Sequence, residues 1–500
     1  MDLWNDTVRK VPEKPGAVWE DRAYSYLEMD RSIRRLSGRL KETMGVGPGD
    51  KVALLMPNCI EFVIAYLSIV RIGAVALPVN IRLKPPEIRF ILGDAQVSAL
   101  LVHEKTWRTA KASWEDWDAL KGVVGVGVKD ERVTPYEKLV SEEVTVNEKD
   151  FPRLQKDDVA VIIYTSGTTG LPKGAMLTHD NLLFNAASCI AGFGFHHEDI
   201  HLVVVPLFHV TGLNTILITS IQVGSTLVIS DKPNPRDILE KIQKHEVTTF
   251  FGVPTTYVLF LATQGIEAYG LFSARLFVYS GAPMAPETIF KLREMFPAIE
   301  LVNLYGLTET TSITTVLPAE DAVQRIESVG KAVPNLELQV VDEEDRVLGP
   351  REVGELCVRA RSVFKGYFNR PQATEEAFLG DWFRTGDHAC LDEEGYLYLK
   401  GRKKEMIIVG GENVYPIEVE NVLCSHPQVL EAAVYGVQHK VWGEWVKAAV
   451  VPRPGEQITE EALKKHCSDR LASFKVPRRI SFMETLPRNP SGKVVKRELD

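Results

Sequence analysis

The stretch from Tyr164 to Gly174 holds the residues best suited to chemistry in this chain of 500 amino acids. It reads Tyr-Thr-Ser-Gly-Thr-Thr-Gly-Leu-Pro-Lys-Gly and follows an apolar run, Val159–Ile163, that is typical of a buried strand. Glycines let backbone N–H groups approach an anion, and hydroxyl side chains add further donors. The stretch therefore predicts a polyphosphate-binding loop made by Thr165, Ser166, Gly167, Thr168, Thr169 and Lys173.

A plain surface turn is the alternative, because Gly, Ser and Thr also cluster in turns. The stretch is not a Walker A loop, since Lys173 is followed by Gly174 rather than by Ser or Thr.

A second motif runs from Asn303 to Thr310 and reads Asn-Leu-Tyr-Gly-Leu-Thr-Glu-Thr. Tyr305 offers a flat aromatic face for a nucleobase. Glu309 is a hard oxygen ligand that suits a partly hydrated Mg²⁺. A glutamate after a threonine also occurs as a capping or surface residue, so this motif gains weight only beside the first.

Two further motifs each place one charged residue next to glycine. Asp387 follows Gly386, and its carboxylate could accept both hydroxyls of a ribose, although Gly-Asp is also common in simple turns. Lys493 follows Gly492 close to the last residue, where a solvated lysine is the plain reading.

The elements that must position these residues alternate between apolar runs and helical patterns. Strands alternating with helices predict parallel sheets covered on both faces, hence an α/β fold with a large N-terminal domain. The predicted strands include Val52–Met56, Ala74–Pro78, Thr226–Ile229, Thr248–Gly252 and Leu276–Ser280, and the predicted helices include Cys59–Ile72, Pro235–His245 and Pro286–Met295.

From about residue 336 to 400 the pattern changes to short strands separated by turns, which predicts a small β-rich subdomain. Gly401–Glu405 contains three consecutive basic residues and precedes a new α+β pattern. We therefore predict an N-terminal domain over 1–400, a hinge over 401–405 and a smaller, mobile α+β domain over 406–500.

The four motifs, in this order, resemble those of the adenylate-forming superfamily, which includes acyl-CoA synthetases, luciferases and peptide-synthetase adenylation domains. The resemblance covers essentially the whole chain. It implies that ATP, Mg²⁺ and coenzyme A are used, that Tyr305 flanks adenine, Thr308 contacts phosphate, Glu309 binds magnesium and Asp387 binds the ribose. The remaining ATP contacts implied in this way are Gly281, Ala282, Pro283, Asn303, Gly306, Arg402 and Lys493.

The resemblance also implies two half-reactions separated by a rotation of the small domain about Lys404. Lys493 is then the adenylation lysine, because a cation that bridges a carboxylate and an α-phosphate offsets their repulsion. After rotation, Gly410, Gly411 and Glu412 line a tunnel for the pantetheine arm. Trp442 and Phe474 match aromatic positions that meet the CoA adenine in aryl-CoA ligases, although a tryptophan beside glycine could instead be packing. Val476 stands where such a ligase can place a basic residue, so contacts to the CoA phosphates would fall to Lys475 or Arg478.

Acyl- and aryl-CoA ligases place a histidine where amino-acid-activating relatives place an aspartate, and this chain has His209. The resemblance makes Phe208 and His209 a gate beside the acid, with a hydrogen-bonded core histidine as the alternative. Leu304, before Tyr305, would limit the depth of the pocket and favour a short, medium or aromatic acid over a very long chain. The predicted acid pocket is completed by Thr211, Gly212 and Val253.

Four alternatives stay open. They are transfer of the acyl group to a separate carrier protein, a luciferase-like oxygenase, a ligase for a long-chain acid, and an inactive binding relative.

The net charge of −9 argues against a nucleic-acid partner. Six scattered cysteines are typical of reduced thiols and of a cytoplasmic protein. The uncharged segment 202–230 is interrupted by Pro and Gly, so it predicts core rather than a membrane span. It divides into a strand, a loop, a buried helix over Gly212–Val223 and a second strand. A homodimer is a candidate assembly for this chain.

Overall fold

The computed structural model describes residues 1–114, 120–141, 151–165, 171–282, 284–410, 412–439, 442–489 and 494–499. Four β-sheets and the helices packed on them make up this part of the chain.

The first sheet has eight strands, six of them parallel, and two antiparallel strands complete one edge. Across the sheet the strands are Gly366–Tyr367, Lys173–Thr178, Val159–Thr165, Val75–Pro78, Lys51–Leu55, Val97–His103, Gly122–Val126 and Thr134–Pro135.

The second sheet has nine strands, six of them parallel, with antiparallel strands at both edges. Across the sheet they are Lys331–Ala332, Thr315–Leu317, Glu300–Tyr305, Leu276–Ser280, Thr249–Gly252, Ile200–Val203, Thr226–Ile229, Pro15–Trp19 and Arg22–Ser25. The prediction of parallel αβ layers is confirmed, with the addition of these antiparallel edges.

Helices cover and separate the two large sheets. Ile60–Arg71 is buried on every side except at Glu61, and its apolar residues join the largest core cluster together with strand residues of both sheets. The other α-helices are Asp2–Lys10, Tyr26–Met44, Pro85–Asp94, Glu104–Trp114, Tyr136–Ser141, His179–Phe193, Thr219–Val223, Pro235–Lys244, Pro254–Leu261, Pro286–Met295, Pro371–Glu376, Pro416–Cys424 and Glu460–Ser468. Short 3₁₀ turns lie at Ile266–Ala268, Thr308–Thr310, Lys403–Glu405 and Lys496–Glu498.

The third sheet is antiparallel and corresponds to the predicted β-rich subdomain. Its strands are Glu337–Val341, Gly354–Arg359, Trp382–Leu391 and Phe378–Leu379, and Leu397–Arg402 pairs with Trp382–Leu391. The last strand continues through Gly401 to Arg402, so regular pairing includes the first two residues of the predicted hinge.

The fourth sheet follows the 3₁₀ turn Lys403–Glu405 and has its own apolar core with two helices. Its strands are Glu412–Val414, Ile407–Val409, Gly443–Pro452 and Val429–His439, and Arg479–Phe482 pairs with Gly443–Pro452.

The uncharged segment 202–230 folds into core, as predicted. It contains the end of Ile200–Val203, a π-helix over Thr211–Ile218 that continues into the α-helix Thr219–Val223, and strand Thr226–Ile229. In the described part of the chain no helix combines the length and the apolar character that a membrane span requires.

A buried ion pair ties together the amino ends of four strands of the second sheet. The Asp199 side chain, fully buried, accepts hydrogen bonds from Arg275 Nε at 2.9 Å and Nη2 at 2.7 Å. The side chain also accepts from the Thr248 hydroxyl at 2.7 Å, and the backbone carbonyl of Asp199 accepts from Thr226 N at 3.0 Å. Burial alone would raise the pKa of Asp199, but the bonds from Arg275 and Thr248 outweigh burial and lower the pKa to about 2.

The low pKa of Asp199 predicts an acid-sensitive contribution to stability. The contribution is complete above the unfolded pKa of 3.8 and is lost as the pH falls from there towards about 2. Asp199→Asn should therefore lower the free energy of unfolding by about 2 kcal/mol at neutral pH. The gap between wild type and variant should shrink below about pH 4.

Chemical denaturation at several pH values between pH 3 and pH 7 measures this gap. Burial lowers the pKa of the neighbouring His201 to about 4 and the Asp199 carboxylate acts against that lowering, so the comparison is repeated in a His201→Gln background, where this side chain cannot titrate. Asp21→Asn, which alters an exposed ion pair with Lys244, is the control and should change stability little at any pH. A gap independent of pH would show that Asp199 does not act through its ionised form.

Candidate active site

Four neighbouring parallel strands of the second sheet end at one edge, and the predicted site residues follow them directly. The strands Ile200–Val203, Thr249–Gly252, Leu276–Ser280 and Glu300–Tyr305 lie side by side in this order. The carboxyl ends of parallel strands meet at the same edge and form a natural binding crevice. This edge carries the predicted residues Phe208, His209, Val253, Gly281, Ala282, Leu304, Tyr305 and Gly306.

Asn303 and Gly281 fit the predicted nucleobase position. Asn303 is 6% exposed, and its Oδ1 has no hydrogen-bond partner among the described residues. Buried polar atoms are nearly always paired, so this acceptor suits a ligand donor such as the amino group of adenine. Gly281 has φ of +84°, and a Cβ there would lie 3.9 Å from Val253 Cγ1. Pro283 lies outside the described residues.

Tyr305 is joined to the third sheet by a direct hydrogen bond to Asp387. The Tyr305 hydroxyl donates to Asp387 Oδ2 at 2.6 Å, and Arg402 Nε contacts Asp387 Oδ1 at 2.8 Å. Asp387 and Arg402 are partners across the antiparallel pair of strands, and Arg402 Nη1 also donates to the Thr385 carbonyl at 3.0 Å. Burial, and then the neighbouring carboxylate of Asp387, raise the pKa of Tyr305 well above its usual value, so its hydroxyl remains a donor.

The turn after Tyr305 is held at a close approach that only glycine allows. A Cβ on Gly306 would lie 1.5 Å from the Ser312 carbonyl oxygen. Thr311 and Ser312 have positive φ values of 61° and 116°, a strained conformation that occurs preferentially at functional sites. The strain is held by the Thr311 hydroxyl, which donates to the Ser362 carbonyl at 2.6 Å.

Glu309 and Lys173 are brought together by a tyrosine. Tyr367 donates its hydroxyl to Glu309 Oε1 at 3.0 Å, and Lys173 Nζ lies 4.9 Å from the centre of the Tyr367 ring. Burial and the Glu309 carboxylate raise the pKa of Tyr367. Thr308 begins the 3₁₀ turn that carries Glu309, and both side chains are partly buried.

The residues present fit a magnesium ion bound mainly by phosphate and water. In the described ranges no group of three or more His, Cys, Asp or Glu side chains is arranged to hold a metal. Mg²⁺ at nucleotide sites is usually held by one or two carboxylates together with substrate phosphates, and Glu309 supplies one carboxylate.

The predicted phosphate loop connects two antiparallel strands. Thr165 pairs with Lys173, and its hydroxyl donates to the Lys173 carbonyl at 3.4 Å. Lys173 therefore begins the second strand of a hairpin, with both residues partly buried. Ser166, Gly167, Thr168 and Thr169 lie outside the described residues.

The predicted acid gate is built around a tight backbone contact. A Cβ on Gly212 would lie 2.4 Å from the Pro206 carbonyl oxygen, so glycine is required where the π-helix Thr211–Ile218 begins. Phe208 is buried and His209 is exposed. The backbone N–H of Thr211 donates to His209 Nδ1 at 3.4 Å, which orients the imidazole. π-helical turns are frequent at functional sites.

Leu304 is 4% exposed and belongs to the largest core cluster. In register it lies between Ser280 and Val316 of the two adjacent strands. It is therefore adjacent to Gly281 at the edge where the predicted pocket lies.

The predicted CoA-binding residues make their contacts within the fourth sheet and its helices. Gly410 and Trp442 lie together, because Gly410 N donates to the Trp442 carbonyl at 2.7 Å and a Cβ on Gly410 would lie 2.8 Å from the Trp442 ring. Both are exposed, as is Glu412. Phe474 packs against the core of this sheet, and Lys475 Nζ contacts both carboxylate oxygens of Glu418 at 2.7 Å. Gly411 and Lys493 lie outside the described residues.

The predicted hinge residue Lys404 is exposed in the 3₁₀ turn Lys403–Glu405. Ion pairs flank it on both sides. Lys403 Nζ contacts Glu355 of the third sheet at 3.2 Å, and Lys496 Nζ contacts Glu405 at 3.0 Å and Glu420 at 2.9 Å.

Two residues that the sequence motifs did not indicate also organise the site. The first is Tyr367. The second is Asn58, a 5% exposed amide that accepts from Leu207 N at 2.8 Å and donates to the Val205 and Ser230 carbonyls, each at 3.1 Å. The sequence offered one signal for each. Asn58 is a polar amide shortly after the buried strand Lys51–Leu55, and Tyr367 follows a glycine within an aromatic segment.

Comparison with known proteins identifies the class. The model of the AMP-binding enzyme family matches residues 4–368, and that of the AMP-binding enzyme C-terminal domain matches residues 418–493. The chain belongs to the AMP-binding enzyme family. The resemblance to adenylate-forming enzymes of the acyl-CoA ligase type is thereby confirmed.

Individual relatives extend over nearly the whole chain. The chain is 34% identical over 472 residues to a long-chain-fatty-acid–CoA ligase, FadD13, of Mycobacterium tuberculosis, covering 94% of this chain and 92% of the relative. It is 34% identical over 479 residues to a feruloyl-CoA synthase of an Amycolatopsis species, covering 95% and 93%. The solved o-succinylbenzoate CoA synthetase of Bacillus subtilis with its acyl-adenylate has a TM-score of 0.89 at 32% identity, covering 99% and 97%. The same enzyme is known with ATP and a magnesium ion, at a TM-score of 0.88 and 31% identity, covering 99% and 98%.

The close approach at Gly212 predicts a selective loss of acid use. In Gly212→Ala the new methyl group must displace the Pro206 turn, which carries Phe208 and His209. We expect kcat/KM for the acid to fall on the order of 10²-fold, because small misplacements near the reacting groups are costly. The free energy of unfolding should fall by about 1–3 kcal/mol.

Gly47→Ala is the matched control, since a Cβ there meets nothing within 4 Å. Steady-state kinetics with the acid varied at saturating ATP, together with thermal melting, measure both effects. Acid kinetics in Gly212→Ala equal to those of Gly47→Ala would contradict the assignment of this turn to the acid site.

Proposed function

We propose that the protein is an ATP-dependent carboxylic acid:CoA ligase that works in two steps. In the first, a carboxylate oxygen attacks the α-phosphorus of ATP, the bond to the β-phosphate breaks, and acyl-AMP and pyrophosphate form. In the second, the thiol of coenzyme A attacks the acyl carbon, loses its proton, and displaces AMP. The family and the acid–CoA ligase relatives support this reaction class.

The bond between Tyr305 and Asp387 is the observation that carries the proposal. It joins an aromatic face suited to adenine to a carboxylate suited to ribose, at the edge where four strands end. Bonds from Tyr305 and Arg402 hold the Asp387 carboxylate beside the tyrosine ring. A carboxylate at this place is of the type that accepts from the two hydroxyls of a ribose.

For adenylation we propose that Glu309 binds Mg²⁺ and that Lys173 neutralises phosphate charge. Mg²⁺ bound there would offset the negative charge of the phosphates during the transfer. Lys493 would approach the α-phosphate from the C-terminal domain and stabilise the charge that develops as the two anions meet. His209 and Phe208 would close the acid site beside the carboxylate.

For thioester formation we propose a rotation about Lys404, with a domain over 1–400, a hinge over 401–405 and a mobile domain over 406–500. Gly410, Gly411 and Glu412 would then line the pantetheine tunnel, and Trp442 and Phe474 would contact the CoA nucleotide. Lys475 is paired with Glu418 in the present arrangement, so a phosphate contact requires it to exchange partners. Arg478 is the alternative cation.

For the acid, we propose a short or medium fatty acid or an aromatic acid. Leu304 fills space beside Gly281, and none of the predicted pocket residues is Lys or Arg, which argues against a dicarboxylate. The name of the Mycobacterium tuberculosis relative favours a long-chain acid as the second candidate. Transfer to a carrier protein in place of CoA also stays a candidate. A cytoplasmic location and a homodimer remain predictions from the sequence.

A panel of carboxylic acids incubated with ATP, Mg²⁺ and CoA tests the function directly. We expect AMP and an acyl-CoA thioester in equal amounts with at least one acid. Lys493→Ala should depress acyl-AMP formation by on the order of 10²–10⁴-fold but affect thioester formation from supplied acyl-AMP much less. Lys464→Ala is the control, because Lys464 is a partly exposed helix lysine paired with Glu460.

AMP without a thioester would favour the carrier-protein alternative, and absence of both products with every acid would overturn the proposal. Equal losses in the two half-reactions of Lys493→Ala would contradict the two-orientation assignment.

If Leu304 limits the depth of the pocket, shortening it should lengthen the preferred acid. Leu304→Ala should shift the optimum of kcat/KM upward by a few carbons, since each newly buried methylene contributes about 0.8 kcal/mol. Leu301→Ala is the control, because Leu301 is a buried leucine of the same strand that belongs to a different core cluster. Both variants should lose about 2–5 kcal/mol of stability. A chain-length profile shifted equally in both, or in neither, would show that another wall sets the limit.

A further inference from the structure

Residues 361–368, here called the strap, lie between the hairpin strand that begins at Lys173 and the 3₁₀ turn that carries Glu309, and they bond to both of these segments, here called the two loops. On one side the strap pairs with the hairpin strand, because Lys365 N donates to the Met176 carbonyl at 2.9 Å and Phe368 N to the Gly174 carbonyl at 2.8 Å. On the other side, Phe364 N donates to the Glu309 carbonyl at 2.8 Å. The strap therefore fixes the backbones of both loops relative to each other.

We propose that Tyr367 is a positioning residue of the adenylation step, whose hydroxyl orients the Glu309 carboxylate toward Mg²⁺ and whose ring locates the Lys173 ammonium group. This inference rests on the proposed nucleotide site. It assigns Tyr367 no contact with the reacting atoms.

The hydroxyl of Tyr367 leaves one oxygen of Glu309 for the metal. Its bond to Oε1, at 3.0 Å, occupies one carboxylate oxygen and restricts rotation of the group. Partners of this kind, which hydrogen-bond to a metal-ligating carboxylate, commonly tune metal affinity 10–100-fold.

The ring of Tyr367 is itself held in place. Phe364 packs edge-on against it at 4.8 Å between ring centres, and Tyr367 N donates to the Thr374 hydroxyl at 2.9 Å. Gly366 has φ of +138°, and a Cβ there would lie 2.7 Å from Thr374 Cγ2, so glycine is required beside the tyrosine. With the ring fixed, the ammonium group of Lys173 at 4.9 Å from its centre has a preferred position over the aromatic face.

Tyr367→Phe tests the hydroxyl, since it keeps the ring and its packing. We expect the Mg²⁺ concentration for half-maximal acyl-AMP formation to rise about tenfold, with KM for ATP at saturating Mg²⁺ nearly unchanged. Tyr367→Leu also removes the ring, so it should raise KM for ATP as well. A binding measurement without turnover, the titration of the ATP-loaded protein with Mn²⁺ followed by electron paramagnetic resonance, should show the same roughly tenfold weakening in Tyr367→Phe.

Tyr396→Phe is the matched control. Tyr396 also donates its hydroxyl to a carboxylate, that of Asp321, and also has a lysine over its ring, with Lys331 Nζ at 4.3 Å from the centre. It should leave Mn²⁺ affinity at the wild-type value. Thermal melting of the three variants without ligand separates loss of folding from loss of metal affinity.

Wild-type Mn²⁺ affinity and Mg²⁺ dependence in a folded Tyr367→Phe protein would overturn the inference and leave the proposed function standing. Equal weakening in Tyr367→Phe and Tyr396→Phe would also overturn it, because the effect would then be one of general packing. Failure of the wild-type protein to bind Mn²⁺ with ATP would overturn the proposed nucleotide site, and this inference with it.

Discussion

The parallel alignment of the central strands in the second sheet is the constraint on which the site depends. Parallel strands must all end at the same edge, so residues far apart in the sequence emerge together at one edge of the sheet. Val253, Gly281 and Gly306 each follow one of three adjacent strands in this way. The first and third sheets then need to add only a few side chains. The third contributes Asp387 and Arg402 as partners across one strand pair, and the first contributes Lys173 at the start of a hairpin strand.

Close backbone contacts restrict which residues can stand at two positions of the site. Gly212 and Gly306 each lie against a carbonyl oxygen, at positions where a Cβ would come within 2.4 Å and 1.5 Å. Such contacts leave no room for a side chain, and they set the direction in which the neighbouring gate and turn leave the sheet. The strained backbone at Thr311 and Ser312 lies in the same turn and is held by side-chain hydroxyl groups. The backbone at these two glycines thus sets the positions of the residues beside them, which include Tyr305 and the proposed gate.

Much of this arrangement was predictable from the sequence because the signals are local. The apolar run Val159–Ile163 predicted the strand observed at Val159–Thr165, and Pro286–Met295 was predicted with its observed bounds. The motifs around Tyr305 and Asp387 were found from their residue types, although their direct bond spans 82 positions and has no local signal. Tyr367 and Asn58 escaped prediction for the same reason, since their partners lie 58 and about 150 positions away. The segment Gly212–Val223 was predicted as an ordinary helix, and its first part forms a π-helix over Thr211–Ile218. The pattern of apolar residues does not distinguish the two, because the close contact that accompanies the π-helix is made by Gly212 with the preceding loop.

The tie between Asp199 and Arg275 lies at the end of the second sheet opposite to the site, and this separation has an evolutionary consequence. Strand order is secured at one end by the ion pair between the buried Asp199 carboxylate and Arg275, while the loops at the other end carry the residues proposed to bind the acid. Loops at the binding end are therefore able to diverge without loosening the strands that support them. Relatives at 34% identity whose names specify substrates as unlike as ferulate and long-chain fatty acids are what such a division of the scaffold would produce. On this view, substitutions at the carboxyl ends of the strands alter substrate range, whereas substitutions at the Asp199 end alter stability.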